Sequence, residues 1–100
     1  MAVKLLMTWN ITPGREQDYF EFVVREFIPQ IQQLGLETTD AWITVYGDRP
    51  QILAAAKIDS SAALYNIMIS EEWEQITTRL LDYVSDLEFK PVIPRSGFQM

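Results

Sequence analysis

Four segments of the chain have the alternating or compact apolar pattern of β-strands. In residues 3–9 one alternating set is wholly apolar and the other is mixed, because it contains Lys4 and Thr8 beside Leu6. Residues 38–46 and 51–58 are rich in strand-forming side chains and flank a turn, which predicts a hairpin. A last strand is expected within residues 87–100, at an edge of the sheet, since its prolines cannot donate backbone hydrogen bonds.

Between these strands the apolar spacing changes to three and four residues, which predicts helices. The first helix is expected to begin after Thr12-Pro13-Gly14, to bend at Pro29 and to end at Gly35. The second is expected to be capped at Asp59-Ser60-Ser61 and broken at Ser70. The predicted buried stripes are Phe20, Val23, Val24, Phe27, Ile28, Ile31 and Leu34 in the first helix, and Trp73, Ile76, Leu80, Leu81 and Val84 after the break.

The order of elements is therefore βαββαβ in a single domain over residues 1–100. Right-handed crossovers place both helical regions on one face of a four-stranded antiparallel sheet. The strands nevertheless carry apolar residues in both alternating sets, among them Val3, Leu6, Trp42, Ile43, Ile52, Leu53 and Val92. Because a large apolar surface usually marks an interface, the pattern predicts a homodimer whose sheets pack face to face. Which set faces the helices stays open at this point.

Composition narrows the function classes. The net charge is −6, with 14 acidic and 8 basic residues and no basic cluster, so a nucleic-acid partner is not expected. The chain contains no cysteine and no histidine, which removes thiolate metal sites and the common nucleophile–base pairs. No stretch has the length or apolar character of a signal peptide or a membrane span, so the expectation is a cytoplasmic protein without a membrane partner.

The whole chain resembles the dimeric α+β barrel superfamily. The resemblance rests on the element order and on three local features, namely Thr12-Pro13-Gly14-Arg15-Glu16, the helix break at residues 70–73, and Pro94-Arg95-Ser96-Gly97-Phe98. It implies a ferredoxin-like protomer, a barrel formed by two facing sheets, and a pocket in each protomer between sheet and helices. The superfamily includes antibiotic-biosynthesis monooxygenases, heme-degrading enzymes, stress-responsive barrel proteins and members without assigned activity, so the resemblance implies a fold more than a function.

A heme cofactor does not fit this sequence. The positions that would correspond to the heme-degrading motif hold Met7, Ile67 and Thr77, and none of them matches the residue types of that motif. The histidine that usually ligates heme in the superfamily is absent as well. No cofactor and no metal are expected; the acids Glu71, Glu72 and Glu74 are interpreted as favourable charges at a helix start.

Six residues are candidates for ligand binding. Trp9 and Asn10 end the first strand near the expected pocket mouth, where an indole and an amide suit a flat, partly polar molecule. Four further aromatic residues could line a pocket, and these are Trp42, Tyr46, Tyr65 and Trp73. The structural alternatives are a core role for Trp9, a turn role for Asn10 and interface roles for the aromatic residues.

Three functions remain compatible with the sequence. The leading hypothesis is a homodimeric barrel that binds a small apolar or aromatic molecule without an assignable activity. The alternative is a cofactor-free monooxygenase for a phenol or quinol, with residues drawn from Trp9, Asn10, Tyr46, Tyr65, Trp73 and Tyr83. The third is a partner-binding subunit of an enzyme. The first two require an open pocket, whereas Phe20, Phe27 and Met68 are large enough to fill one.

Overall fold

A computed structural model describes residues 2–46 and 49–93, except for the side chains at 40, 42–46 and 49–51. Its strands and helices follow the predicted order. They are β1 (Val3–Ile11), α1 (Glu16–Phe22), a π-helical segment (Val23–Phe27), α2 (Ile28–Leu34), β2 (Glu37–Tyr46), β3 (Arg49–Ile58), α3 (Ser61–Met68), α4 (Glu71–Leu80) and β4 (Val84–Val92).

The four strands form one antiparallel sheet in the order β2-β3-β1-β4. This confirms the predicted α+β, ferredoxin-like fold, with β4, which contains Pro91, on one edge as expected. The strand begins at Val84, before the predicted start, and residues 94–100 of the predicted segment lie outside the described residues. The hairpin between β2 and β3 is also confirmed.

Burial along β1 decides which set of side chains faces the helices. The odd-numbered residues Val3, Leu5, Met7, Trp9 and Ile11 are buried, whereas the even-numbered ones are half-buried or exposed. The same alternation holds in β3, because Ile52 pairs with Trp9 and Leu53 pairs with Thr8 in the sheet register. Val3 and Ile52 therefore face the helices. Leu6, Leu53 and Val92 face the other side of the sheet, which we call the open face.

The first helix contains a π-helical turn that changes which residues it buries. The Ile28 N–H bonds to the Val23 carbonyl, five residues back, so the segment holds one residue more than an α-helical path. Phe22 and Phe27 consequently lie on the same buried face although they are five positions apart. The π segment ends two residues before Pro29, which has no N–H to donate to the preceding turn.

The predicted stripe of the first helix was therefore wrong at two positions. Phe20 and Val24 are 47% and 64% exposed, and Tyr19 and Phe22 are buried in their place. Strict three-and-four spacing assumes an uninterrupted α-helix, and the π turn shifts the buried face by about one residue. The predicted stop at Gly35 is confirmed, because this residue has φ of 112° and its N–H bonds to the Gln32 carbonyl.

Two serine caps divide the second helical region as predicted. Ser60 Oγ accepts a hydrogen bond from the Ala63 N–H, and Ser70 Oγ accepts one from the Trp73 N–H. The end of α4 was predicted wrongly. Leu81 is 53% exposed and Val84 belongs to β4, because the chain turns directly after Leu80.

Candidate functional site

A cavity of about 100 Å³ lies between the sheet and the first helix. Its walls are almost entirely apolar and come from both layers of the fold. The described residues that line it are Met7, Trp9, Tyr19, Val23, Phe27, Ile28, Ile31, Thr38, Ala41, Ile52, Ala54 and Ala55. Apolar concave sites with a few polar atoms are the usual form of small-molecule sites, so this cavity is the candidate functional site.

The cavity exists partly because the middle of the sheet carries small side chains. Ala41 of β2 pairs in register with Ala54 of β3, which in turn pairs with Met7 of β1. Opposite them, the first helix presents larger side chains, including Phe27 and Ile31. Ala41 lines the cavity and is itself exposed to solvent, so the described walls leave the cavity open beside it. The run of alanines in β3 thus leaves room between the layers, where bulkier strand residues would fill it.

The polar centre of the cavity is a buried pair, Trp9 and Tyr19. The Trp9 Nε1–H donates a hydrogen bond of 2.8 Å to Tyr19 Oη, and each residue is 3% exposed. Their rings meet edge to face with centroids 6.4 Å apart, and Phe27 also meets Trp9 edge to face, with centroids 6.0 Å apart. The pair therefore has little freedom to reorient and presents a fixed polar group in an apolar wall.

Tyr19 stays neutral over the whole physiological pH range. Burial raises the pKa of Tyr19 to about 12 because the phenolate would lose its hydration, and the hydrogen bond from Trp9 opposes this only in part. A neutral phenol retains its proton and can donate it. The site therefore offers a hydrogen-bond donor instead of a negative charge.

Of the four sequence-predicted site residues whose side chains are described, Trp9 lines the cavity, and Asn10, Tyr65 and Trp73 do not. Asn10 lies on the opposite side of β1, where its Nδ2 donates to Asp86 Oδ2 at 3.0 Å. Tyr65 is 64% exposed on α3, and Trp73 is buried against Phe89 with ring centroids 5.0 Å apart.

The side chains of Trp42 and Tyr46, the other two predicted site residues, lie outside the described part of the structure. The aromatic pocket predicted from Trp42, Tyr46, Tyr65 and Trp73 is thus not assembled from the two members that are described. Of the three residues considered able to fill the pocket, Phe20 is largely exposed, Met68 is not among the lining residues, and Phe27 forms one wall while leaving the cavity open.

Tyr19 was missed by the sequence reasoning because it lies outside the stripe that an uninterrupted helix would bury. A signal for it was nevertheless present. Trp9 belongs to the wholly apolar set of β1, and a buried indole N–H needs an acceptor. Among the residues of the first helix, a tyrosine three positions before Phe22 supplies such an acceptor on the same face.

The described residues contain neither a cluster suited to a metal ion nor a helix suited to spanning a membrane. Within the described residues 2–46 and 49–93, no three histidine, cysteine, aspartate or glutamate residues are grouped so as to hold a metal ion. None of the helices seen there is long and apolar enough to cross a membrane. Glu71, Glu72 and Glu74 lie in the first turn of α4, as the interpretation of helix-end charges required.

No protein-family model and no curated protein matches this chain. Solved structures do match it along nearly its whole length. A NIPSNAP domain protein from Burkholderia xenovorans has a TM-score of 0.68 at 19% identity, with 97% of each chain covered. A NIPSNAP family protein from Agrobacterium tumefaciens also has a TM-score of 0.68 at 19% identity, covering 96% of this chain and 88% of the other.

A third solved structure is that of a candidate antibiotic biosynthesis monooxygenase from Chloroflexus aurantiacus. It has a TM-score of 0.56 at 14% identity and covers 97% of this chain and 96% of the other. Identities at this level establish the fold and not the activity. The chain therefore has the ferredoxin-like α+β fold that these NIPSNAP structures and the monooxygenase structure share, which confirms the resemblance that the sequence indicated.

Proposed function

We propose that this protein binds a small, flat, apolar molecule in the cavity between its sheet and its first helix. The observation that carries the proposal is the buried Trp9–Tyr19 pair in an otherwise apolar, open cavity. Empty space next to two large aromatic side chains is costly, since the surrounding atoms lose contacts that a ligand would restore. An apolar molecule that enters the cavity also removes its own apolar surface from water, which favours binding.

The size of the cavity limits the ligand to about one ring. An apolar protein cavity of about 150 Å³ is known to accept benzene, and the present cavity measures about 100 Å³ but is open on the side of Ala41. A single ring therefore fits with its substituent towards the opening. Three fused rings, such as those of an anthrone, exceed the space that the described walls enclose.

Titration with α-methylstyrene, a one-ring apolar probe, tests the proposal. In NMR spectra of the tryptophan indole N–H groups, the Trp9 signal, assigned with a Trp9→Phe variant, is expected to shift and to saturate. Ala54→Leu should abolish the shift because it fills the cavity, whereas Ala62→Leu on the exposed side of α3 should not. If Ala54→Leu does not fold, Ala41→Leu at the opening replaces it. An unchanged Trp9 signal in the wild-type protein would contradict the proposal.

A second candidate function is cofactor-free oxygenation of a one-ring quinol. It is favoured by the fold shared with the candidate antibiotic biosynthesis monooxygenase and by the Tyr19 hydroxyl beside the cavity. In such a reaction, hydroquinone and O2 would give hydroxyquinone and water, with all electrons supplied by the substrate. Oxygen uptake with hydroquinones should then exceed the uncatalysed rate and fall in Ala54→Leu. A rate equal to that without protein would exclude this activity for the substrates tested.

We also propose that the protein forms a homodimer through its open face. Leu6, Leu53 and Val92 place apolar side chains there, and Lys57 and Glu37 form an ion pair of 3.9 Å near one edge. A native mass spectrum of the protein as purified weighs both the assembly and any retained molecule. We expect the mass of two chains, and a mass of one chain at micromolar concentration would contradict the dimer.

A cytoplasmic location stays a prediction.

A further inference from the structure

The hydroxyl group of Tyr19 accepts a hydrogen bond but donates none to the described residues. Its oxygen already accepts the Trp9 Nε1–H, while its own proton finds no acceptor among the side chains and backbone groups of the described residues. A buried donor without a partner is destabilising, usually by about 1–3 kcal/mol. Few buried polar groups in proteins are left in this state, and an unmatched one beside a cavity points to a partner that the described residues do not supply.

The chemistry of the missing partner follows from its surroundings. It must accept a hydrogen bond, and the apolar walls make a carboxylate or another ion costly there. A hydroxyl group on the ligand would also accept this proton, but it would bring into the apolar walls a donor of its own that needs a further acceptor. A neutral carbonyl oxygen brings acceptor capacity alone.

We propose that the ligand of this cavity is a one-ring carbonyl compound whose oxygen accepts the Tyr19 hydroxyl proton. This inference rests on the proposed function, because it requires that the cavity binds a ligand. Tyr19 then acts as the residue that selects carbonyl compounds over hydrocarbons of the same shape. Among the described lining residues, Thr38 carries the other hydroxyl group, and its Oγ1 accepts a long hydrogen bond of 3.4 Å from Gln32 Nε2.

Acetophenone and α-methylstyrene form a matched pair of probes, since they differ only in C=O against C=CH2. Trp9→Phe is the reference protein. In a Tyr19→Phe variant that keeps Trp9, the indole N–H would lose its acceptor and would be free to bind the carbonyl oxygen of the probe in place of the Tyr19 hydroxyl. Adding Tyr19→Phe to the reference protein should lower the ratio of acetophenone affinity to α-methylstyrene affinity about five- to tenfold. Adding Tyr65→Phe instead should leave the ratio unchanged, because Tyr65 is exposed on α3 and not among the described lining residues. Comparing ratios cancels the different hydration of the two probes.

An infrared measurement on the wild-type protein does not depend on any variant. The carbonyl stretch of bound acetophenone is expected at a lower frequency than in cyclohexane, because the hydrogen bond weakens the C=O bond. If both probes bind, but the stretch equals that in cyclohexane and Tyr19→Phe leaves the affinity ratio unchanged, the inference is overturned while the proposed function stands. If neither probe binds the wild-type protein, both are overturned. Should the variants not fold, the infrared frequency alone decides.

Discussion

The hydrogen bond between Trp9 and Tyr19 connects β1 to the first helix through two side chains that are ten residues apart in the sequence. Each needs the other. The indole N–H of Trp9 would otherwise be an unpaired donor in an apolar core, and the Tyr19 oxygen would be an unpaired acceptor. The pair therefore has a structural role in addition to the polar group that it presents to the cavity.

A double-mutant cycle measures this coupling. Tyr19→Phe should lower the free energy of unfolding by about 1–3 kcal/mol, because it leaves the Trp9 N–H buried without a partner. Trp9→Phe removes that donor together with packing area. The double variant should thus lose about 1 kcal/mol less than the sum of the single variants in urea unfolding. Trp73→Phe is the control for Trp9→Phe, since Trp73 packs against Phe89 and should combine additively with Tyr19→Phe.

Alkaline pH should destabilise the protein through Tyr19. In the unfolded chain this tyrosine ionises near its ordinary pKa of 10.0, whereas in the folded protein its pKa is about 12. Between these values the unfolded state has lost a proton that the folded state retains, so the free energy of unfolding falls as the pH rises. The expected loss is about 2–3 kcal/mol across the window.

Urea unfolding at several pH values between the two pKa values checks this effect. Tyr19→Phe is the matched control, because other groups also titrate there and contribute equally to both proteins. The wild-type protein should lose stability more steeply with pH than the variant. Parallel curves for the two proteins would show that Tyr19 does not have the raised pKa.

At the scale of elements, the π-helical segment determines what the first helix contributes to the site. It places Tyr19 and Phe22 on the same buried face as Phe27 and Ile31. An uninterrupted α-helix would turn the first pair away from this face by about 100°, the rotation of one residue. The hydrogen bond between Trp9 and Tyr19 thus depends on the phase of the whole helix and not on the two residues alone.

The helix break at Ser70 provides a second prediction at this scale. Ser70 Oγ accepts from the Trp73 N–H at 3.2 Å and also donates to the Ile67 carbonyl at 2.6 Å, so it joins the end of α3 to the start of α4. Ser60 Oγ has a single bond, accepted from the Ala63 N–H. Ser70→Ala should therefore lower the free energy of unfolding by about 1–2 kcal/mol, and Ser60→Ala by about 1 kcal/mol or less. Thermal unfolding of both variants shows which one loses more stability, and a larger loss for Ser60→Ala than for Ser70→Ala would contradict the prediction.

At the scale of the whole molecule, the sheet has one face covered by helices and one that the described part of the chain leaves uncovered. The covered face supplies the core and one wall of the cavity. The open face carries Leu6 and Leu53 beside exposed lysines such as Lys4 and Lys57. Apolar residues surrounded by charged ones are the usual composition of a protein interface, which is why a second copy is proposed to cover them.

Leu6→Glu tests that arrangement. A carboxylate buried without a partner between two sheets should cost several kcal/mol and separate the dimer into monomers. Sedimentation equilibrium at micromolar concentration measures the change. Val24→Glu is the control, because Val24 is 64% exposed on the outer side of the first helix and should leave the assembly intact. A Leu6→Glu protein that stays dimeric would place the interface on another surface.

The sequence alone determined the order of the elements, the edge position of the last strand and the two serine caps. These features depend on local signals, such as alternation along a strand, prolines without N–H groups and side-chain oxygens at helix starts. It also made Trp9 a candidate site residue, because Trp9 is an aromatic residue at the end of the wholly apolar set of β1.

The tertiary structure alone decided which face of β1 meets the helices and which residues meet Trp9. Periodicity shows that two faces exist, but a shift of one residue exchanges them, and only packing against the helices fixes the choice. Tyr19 escaped sequence reasoning because the π turn, ending just before Pro29, changes the phase of the helix. The cavity depends in the same way on alanines from two strands that meet only through sheet register.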